Sequence, residues 1–380
     1  MGNCSHSDIG GPSTPGEPRA AALFANFRLK KWPNDIATPD QVAAIVNFVE
    51  QGLKEGGLGI GVVPGYAPGS GYKELLAVHT LAAKYKVPTY SHVRSEGDAD
   101  PLSAAQAYGE VVSFAAATGA SVHICHLNST SFRDMPLAVS MIHQALKEGL
   151  NVTVEAYPYG AASTAIGAKF LDPENLPRVG MTYESVEYQG KRFSESSFNE
   201  LRSKNPGAIV VPHFYELPRD QKLLDMAVLF PGGIIASDAM PWMSTTTGGE
   251  VSPNVWPLPH DAFSHPRSAG TFTRFLSHYV REGNLLSWSD AIAKTSYLPA
   301  KYLEEIVPQM KKKGRLQVGM DADITVLDPT TVQDRATYER PNETSVGVKY
   351  LLVHGTFVIR KGELDAAAFP GQPVRRMVTP

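Results

Sequence analysis

Three apolar runs of this sequence end in residues that could perform metal-assisted hydrolysis. PTYSHV (88–93) contains His92, SVHICHL (121–127) contains His126, and GGIIASDAM (232–240) contains Asp238. Neutral imidazoles are common ligands of catalytic zinc, and a nearby carboxylate can accept the proton of an attacking water. The sequence therefore predicts His92 and His126 as metal ligands and Asp238 as the catalytic carboxylate.

Each of these residues also has an ordinary structural interpretation. A histidine at the end of a strand is often a hydrogen-bonded loop residue, and an aspartate in SDAM is often a turn or cap residue. The metal site is favoured because all three follow strand-like runs at the carboxyl end. His123 lies three residues before His126, so we expect it to point to the opposite face.

The elements that must position these residues recur at a regular interval. Strand-like markers at Gly59, Thr89, Val122 and Val152 lie 30, 33 and 30 residues apart, with helical patterns between them. This period is typical of βα units and a parallel sheet. A TIM-like (β/α)8 barrel is favoured over an open doubly wound sheet, because no glycine-rich phosphate loop joins a strand to a helix.

The remaining segments suggest three domains or portions. Residues 1–35 are predicted to be irregular, and residues 36–312 to form the hydrolase barrel. Residues 160–230 interrupt the repeat and are interpreted as an insertion that forms a lid or pocket wall. Residues 313–380 alternate with hairpin-type turns, which indicates a small C-terminal β-sandwich portion.

Composition narrows the range of partners. The 380 residues have a net charge of −3 and two cysteines, Cys4 and Cys125. This balance does not favour nucleic acid or a membrane surface, and the few cysteines fit a reducing compartment. We expect a cytoplasmic enzyme that acts on a small-molecule substrate. The sequence is also compatible with a homo-oligomer.

Several blocks together resemble a known family. SHVRSEG, ICHLNST, EAYPYGA, ASDAMPW, HPRSAGTF and KKKGRLQVGMDADITVLDP are similar to the D-aminoacylase branch of the amidohydrolase superfamily, in the same order across residues 38–365. The most similar group is that of the N-acyl-D-glutamate (D-glutamate) deacylases. The resemblance implies a TIM-like barrel with a β-sandwich and zinc-dependent hydrolysis of the amide in an N-acyl-D-amino acid.

The resemblance also implies roles for the three chemical residues. His92 matches the family's histidine on the fifth strand, and His126 matches the one on the sixth. Asp238 matches the eighth-strand aspartate, which activates water and later protonates the leaving amine.

Further positions match residues that hold the substrate in related enzymes. These are Asn128, Tyr157, Tyr159 and Arg267. Arg94 is placed on the same strand face as His92 by a period of two, where a bidentate arginine could meet a substrate carboxylate.

One family motif is absent from the sequence. The family's first strand ends in His-x-His, whereas none of the eleven histidines here are spaced two apart. We therefore expect an N-terminally incomplete barrel that binds Zn²⁺ weakly. Cys4, in a Gly-Asn-Cys segment, is not assigned a role. The alternatives are a non-catalytic truncated homologue and a cyclic-amide hydrolase of the dihydroorotase or hydantoinase type.

Overall fold

The computed structural model describes residues 33–377, which fall into two compact units. The first contains residues 33–155 and Gly160–Phe230, and the second contains Ala156–Tyr159 and Pro231–Arg376. Most of the predicted irregular segment, residues 1–32, lies outside the described residues, and so does Cys4.

The first unit is built on parallel strands that alternate with helices. The strands are β1 (Ile60–Val62), β2 (Thr89–Ser91), β3 (Val122–Ile124) and β4 (Val152–Ala156). Ile60, Thr89, Val122 and Val152 occupy one register row. The predicted parallel βα repeat is therefore confirmed over these strands.

Helices lie between and around these strands, as the helical patterns between the strand markers predicted. They are α1 (Pro39–Lys54), α2 (Tyr72–Tyr85), α3 (Ala104–Thr118), α4 (Leu127–Ser131) and α5 (Met135–Lys147), with a 3₁₀ turn at Phe132–Asp134.

Local capping explains these helix boundaries. Thr38 and Gln41 form a capping box at the start of α1. The Ser103 hydroxyl accepts a hydrogen bond from the Gln106 amide at the start of α3, and Gly119 ends that helix with a φ of 71°. Glycine adopts this left-handed backbone conformation without a steric cost because it has no Cβ.

The two faces of the strands differ in composition. Ile60, Val62, Val122, Ile124 and Val154 are buried. The intervening register row instead holds Gly61, Tyr90, His123 and Thr153. One face therefore packs as a mostly apolar core that also holds the buried Thr89 and Ser91, and the other carries Tyr90, His123 and Thr153.

The predicted insertion forms a separate antiparallel sheet in the first unit. Its strands are β5 (Thr164–Ala165), β6 (Val186–Tyr188), β7 (Lys191–Arg192) and β8 (Ile209–Pro212), in the order β5-β8-β6-β7. The helices are α6 (Glu195–Lys204) and α7 (Gln221–Val228), and 3₁₀ turns lie at Lys169–Leu171, Pro177–Val179 and Tyr183–Ser185. A buried cluster that includes Leu171, Val186, Phe198 and Val210 gives this region its own core.

The second unit combines short strands, helices and a terminal sheet. Its first strands are β9 (Ile234–Ile235), β10 (Met243–Ser244) and β11 (Ala262–Phe263). Its helices are α8 (Arg267–Arg274), α9 (Trp288–Ile292) and α10 (Leu298–Leu303), with π-helical stretches at Phe275–Glu282 and Ala293–Tyr297 and a 3₁₀ turn at Pro308–Lys312.

The C-terminal strands form a four-stranded antiparallel sheet. They are β12 (Ile324–Leu327), β13 (Val348–Val353), β14 (Thr356–Arg360) and β15 (Glu363–Leu364). His354-Gly355 and Lys361-Gly362 have positive φ at both residues, as tight hairpin turns require. The predicted hairpins are thus confirmed.

Other expectations at this level stay predictions. The sheet pairing does not by itself establish a closed barrel or a C-terminal sandwich, and the predicted domain boundaries are not tested. Among the helices of residues 33–377, none is long and apolar enough to span a membrane. The cytoplasmic location remains a prediction from the sequence.

The capping box of α1 gives a direct test of this local account. Thr38→Ala should lower the free energy of unfolding by about 1 kcal/mol, because the Gln41 amide loses its acceptor. Thr38→Ser keeps the hydroxyl and should stay close to wild type in urea unfolding. Equal stability of the alanine variant and wild type would contradict the capping role.

Candidate metal and catalytic residues

His92 is the first residue after β2, and the backbone there still follows the parallel ladder. Its amide donates to the Val62 carbonyl at 2.9 Å. The amide of Cys125 similarly donates to the Ser91 carbonyl at 3.0 Å. The ladder therefore holds the chain leading to both histidines in register.

His126 lies two residues beyond β3, at the N-cap of α4. Its φ of 36° and ψ of 62° place it in the left-handed region, which is uncommon for residues other than glycine. Such backbone conformations concentrate at functional sites because the surrounding structure must maintain them. Because of this turn, the direction of the His126 side chain does not follow the alternation of β3.

The two imidazoles face each other through specific nitrogens. His126 Nε2 lies 2.8 Å from His92 Nδ1, and the ring centroids are 4.3 Å apart. Tyr66 packs against His92 with ring centroids 5.3 Å apart. Sequence analysis predicted that these histidines lie together, and within the first unit they do.

His126 is also held from its other side. Its Nδ1 lies 3.0 Å from the Ser129 hydroxyl oxygen, one turn along α4. His126 and Ser129 are both buried, with 7% and 6% of their surface exposed. The imidazole therefore has polar neighbours on both ring nitrogens.

A carboxylate on β4 pairs with His123. Glu155 Oε2 is 3.1 Å from Nε2 of His123, whose Nδ1 is 2.8 Å from the Thr153 hydroxyl. Burial raises the pKa of Glu155. The hydrogen bond with His123 and the charges of His123, His126 and His92 outweigh burial and lower it below its usual value.

The contacts of His123 are with Thr153, Glu155 and the ring of Tyr90. The expectation that His123 points to the opposite face from His126 stays a prediction.

Asp238 belongs to the second unit, three residues beyond β9. Its φ is 49°, again in the left-handed region. Its Oδ2 lies 2.8 Å from Nη2 of Arg267, a side chain that is only 1% exposed. The Arg267 guanidinium also lies over the Tyr157 ring, 4.5 Å from its centroid. The second unit thus brings Asp238, Arg267 and Tyr157 together.

Tyr159 is held by neighbouring residues of the same unit. Its hydroxyl donates to the Pro266 carbonyl at 3.5 Å, and Arg274 lies over its ring at 4.8 Å. Arg274 Nε also donates to the Pro158 carbonyl at 2.9 Å. Burial raises the pKa of Tyr159, so this phenol keeps its proton at neutral pH.

The other two predicted substrate residues, Arg94 and Asn128, belong to the first unit. Arg94 Nη2 lies 2.8 Å from Glu110 Oε1, Arg94 Nε also donates to that carboxylate, and Nη1 donates to the Pro68 carbonyl. These contacts favour a structural role for Arg94. Asn128 is fully buried in α4.

The histidine pair suits a metal ion in donor type. Two nitrogens on one tetrahedral zinc, each about 2.0–2.1 Å from it, would lie about 3.3 Å apart. The two nitrogens lie 2.8 Å apart, so they would have to move only slightly farther apart to bind one zinc ion. Across residues 33–377, however, no group of three or more His, Cys, Asp or Glu side chains is arranged to hold a metal. The pair would provide two of the three protein ligands typical of catalytic zinc.

Comparison with known proteins identifies the family. The amidohydrolase family model matches residues 129–359, which is more than half of the chain. The chain belongs to the amidohydrolase family. The resemblance in the sequence blocks is therefore confirmed.

Two curated relatives of this amidohydrolase come from Alcaligenes xylosoxydans xylosoxydans. An N-acyl-D-glutamate deacylase is 27% identical over 93% of this chain and 68% of its own length. A D-aminoacylase is 26% identical over 96% of this chain and 71% of its own length.

A solved structure extends the likeness to three dimensions. N-acyl-D-glutamate deacylase from Bordetella bronchiseptica, crystallised with zinc and a phosphonate mimic of the tetrahedral intermediate, has a TM-score of 0.70 and 25% identity. The match covers 92% of this amidohydrolase and 70% of that chain. The two proteins share a fold.

Three contributors to the local geometry were not identified from the sequence. These are Ser129 beside His126, Glu155 beside His123, and Arg274 beside Tyr159. The only signal for Ser129 was its place in the polar run after His126. No local pattern distinguishes Glu155 or Arg274, since their roles depend on contacts between distant segments.

Glu96, four residues after His92, generates a prediction about pH. Burial raises the pKa of its carboxyl from 4.5 to about 8, so the folded state retains a proton that the unfolded state releases. The contribution of the Glu96 proton to the free energy of unfolding is complete below about pH 4.5 and is lost as pH rises towards 8. Glu96→Gln should remove that decline, so at pH 9 it should be more stable than wild type.

Unfolding midpoints in urea between pH 4 and pH 9 measure this effect. Asp98→Asn, which neutralises an exposed carboxylate two residues away, is the matched control and should keep the wild-type decline. A Glu96→Gln variant with the same pH profile as wild type would show that the Glu96 proton does not couple to folding.

Proposed function

We propose that this amidohydrolase hydrolyses the amide bond of N-acyl-D-amino acids, with N-acyl-D-glutamate as the preferred substrate. The products would be a D-amino acid and a carboxylic acid. The observation that carries the proposal is the 2.8 Å approach of His92 Nδ1 and His126 Nε2 in the first unit. A buried imidazole and a half-buried one with facing nitrogens suit a shared cation.

The sequence relatives support the substrate class. Both curated relatives carry names for deacylation or acylase activity on D-amino acids, and the similarity runs over nearly all of this chain. The shared fold with the zinc-containing deacylase supports zinc as the metal. For the architecture, we propose that the βα repeat of β1–β4 belongs to a TIM-like barrel.

Roles are assigned residue by residue. His92 and His126 would hold Zn²⁺ through Nδ1 and Nε2. When bound, the zinc supplies Lewis acidity for the amide carbonyl and the attacking water. Asp238 would accept a proton from water and later deliver it to the leaving nitrogen. The hydrogen bond from Arg267 to Oδ2 favours Oδ1 as the oxygen that carries the proton.

Substrate contacts are proposed for the remaining predicted residues. Tyr157 and Tyr159 offer phenol groups, Asn128 offers an amide, and Arg267 offers a guanidinium for a carboxylate. Arg94 is retained as a candidate, although its contacts with Glu110 and Pro68 favour a structural role.

Enantiomer-specific turnover tests the proposed function. Zinc-supplemented protein should release acetate and D-glutamate from N-acetyl-D-glutamate and leave the L enantiomer intact. His126→Gln should reduce turnover by at least about 100-fold, because even loss of a residue supporting a metal ligand typically costs 10–100-fold. No turnover by wild-type protein saturated with zinc would favour a non-catalytic homologue instead.

Arg267 and Arg94 allow a paired test of carboxylate recognition. Arg267→Ala should lower kcat for every N-acyl-D-amino acid, because Asp238 loses its partner. It should also raise KM by about 10- to 100-fold more for N-acetyl-D-glutamate than for N-acetyl-D-leucine, the effect of losing a charge-assisted pair. The comparison is steady-state kinetics on both substrates.

Arg94→Ala is the comparison variant, since it removes a guanidinium that pairs with Glu110. Equal changes in KM for the two substrates would assign Arg94 the structural role that its contacts favour, and a larger change for N-acetyl-D-glutamate would keep it as a substrate contact. Equal KM changes for Arg267→Ala would remove Arg267 as the anchor of the side-chain carboxylate.

A further inference from the structure

We infer that Ser129 is a positioning residue for the histidine pair, because its hydroxyl holds the His126 imidazole in the tautomer with hydrogen on Nδ1. This inference rests on the proposed function, in which Nε2 of His126 binds the metal. It concerns a residue that touches His126 rather than the substrate.

The Ser129 hydroxyl lies between the imidazole and the carbonyl oxygen of His126. Its Oγ lies 3.0 Å from His126 Nδ1 and 3.3 Å from the His126 carbonyl oxygen. Ser129 is in the first turn of α4, the helix that His126 caps. The short helix and the left-handed turn at His126 therefore bring the hydroxyl onto its own cap residue.

Two arrangements of hydrogens fit the contact with Nδ1, since a neutral imidazole has one N–H and one lone pair and a serine hydroxyl has one hydrogen. If the Ser129 hydroxyl donates to Nδ1, the imidazole hydrogen lies on Nε2. If the hydroxyl instead donates to the His126 carbonyl, which also accepts from the Ser129 amide at 3.0 Å, its oxygen accepts the hydrogen of Nδ1. Only the second arrangement leaves the lone pair on Nε2 for a metal, so the proposed function selects it.

That lone pair points to His92. In the metal-free protein, His92 Nδ1 then donates its hydrogen to His126 Nε2 across the 2.8 Å contact. For both nitrogens to bind one cation, only the His92 hydrogen has to leave its position, since His126 already has the correct tautomer. Such partners on the second ring nitrogen commonly orient metal-binding histidines.

The neighbouring hydroxyls of α4 both contact Tyr108, and Thr130 Oγ1 also donates to the His126 carbonyl at 3.4 Å. Thr130 Oγ1 and Ser131 Oγ lie 2.5 Å and 2.8 Å from the Tyr108 hydroxyl. Ser131→Ala thus removes a buried hydroxyl from the same helix without removing a contact to a His126 ring nitrogen. It is the matched control for Ser129→Ala.

Nitrogen-15 NMR of histidine-labelled, metal-free protein tests the tautomer directly. Wild type and Ser131→Ala should show His126 protonated on Nδ1, and Ser129→Ala should lose this preference. Ser129→Thr keeps the hydroxyl and should restore it. Protonation of His126 on Nε2 in the wild type would overturn the inference.

Competition of the protein with a chelator for Zn²⁺ provides the second measurement. Ser129→Ala should bind zinc about 10- to 100-fold more weakly than wild type, while Ser131→Ala and Ser129→Thr should bind it normally. Unchanged affinity in Ser129→Ala would overturn the inference. A wild-type chain that binds no zinc would instead overturn the proposed function, whereas the NMR result still decides the tautomer.

Discussion

The contact between His92 Nδ1 and His126 Nε2, at 2.8 Å, depends on most of the first unit being in place. Two segments 34 residues apart must end at the same level of neighbouring parallel strands. The βα repeat provides this, because the strand ladder continues to the His92 and Cys125 amides. The left-handed turn at His126 then directs the second imidazole towards the first.

The second unit presents a different electrostatic constraint. Arg267 is almost completely buried, and a buried guanidinium is costly unless it is paired. Asp238 and the face of Tyr157 surround it, so the carboxylate proposed for proton transfer also compensates a buried charge. Replacing Asp238 with alanine would therefore destabilise the second unit as well as remove the proton acceptor. Asp238→Asn, which keeps an oxygen for Arg267, separates the two effects better.

Sequence patterns predicted the parts of this molecule that depend on local chemistry. The βα period and the C-terminal hairpins follow from apolar spacing and turn residues. The pairing of His92 with His126 was also predictable, since both follow adjacent strands of the repeat.

Contacts between distant segments were not predictable in the same way. Glu155 meets His123 because β3 and β4 are neighbours in register, and Arg267 meets Asp238 across an intervening hairpin. Arg94 and His92 were placed on one face by alternation, but the pairing of Arg94 with Glu110 on α3 could not be read from spacing.

The central claim is that His92 and His126 are ligands of one zinc ion. Anomalous X-ray scattering at the zinc edge, from crystals grown with Zn²⁺, tests it most directly. The account predicts a zinc peak about 2.0–2.1 Å from both His92 Nδ1 and His126 Nε2. A zinc peak elsewhere, with the two imidazoles still in mutual contact, would contradict it.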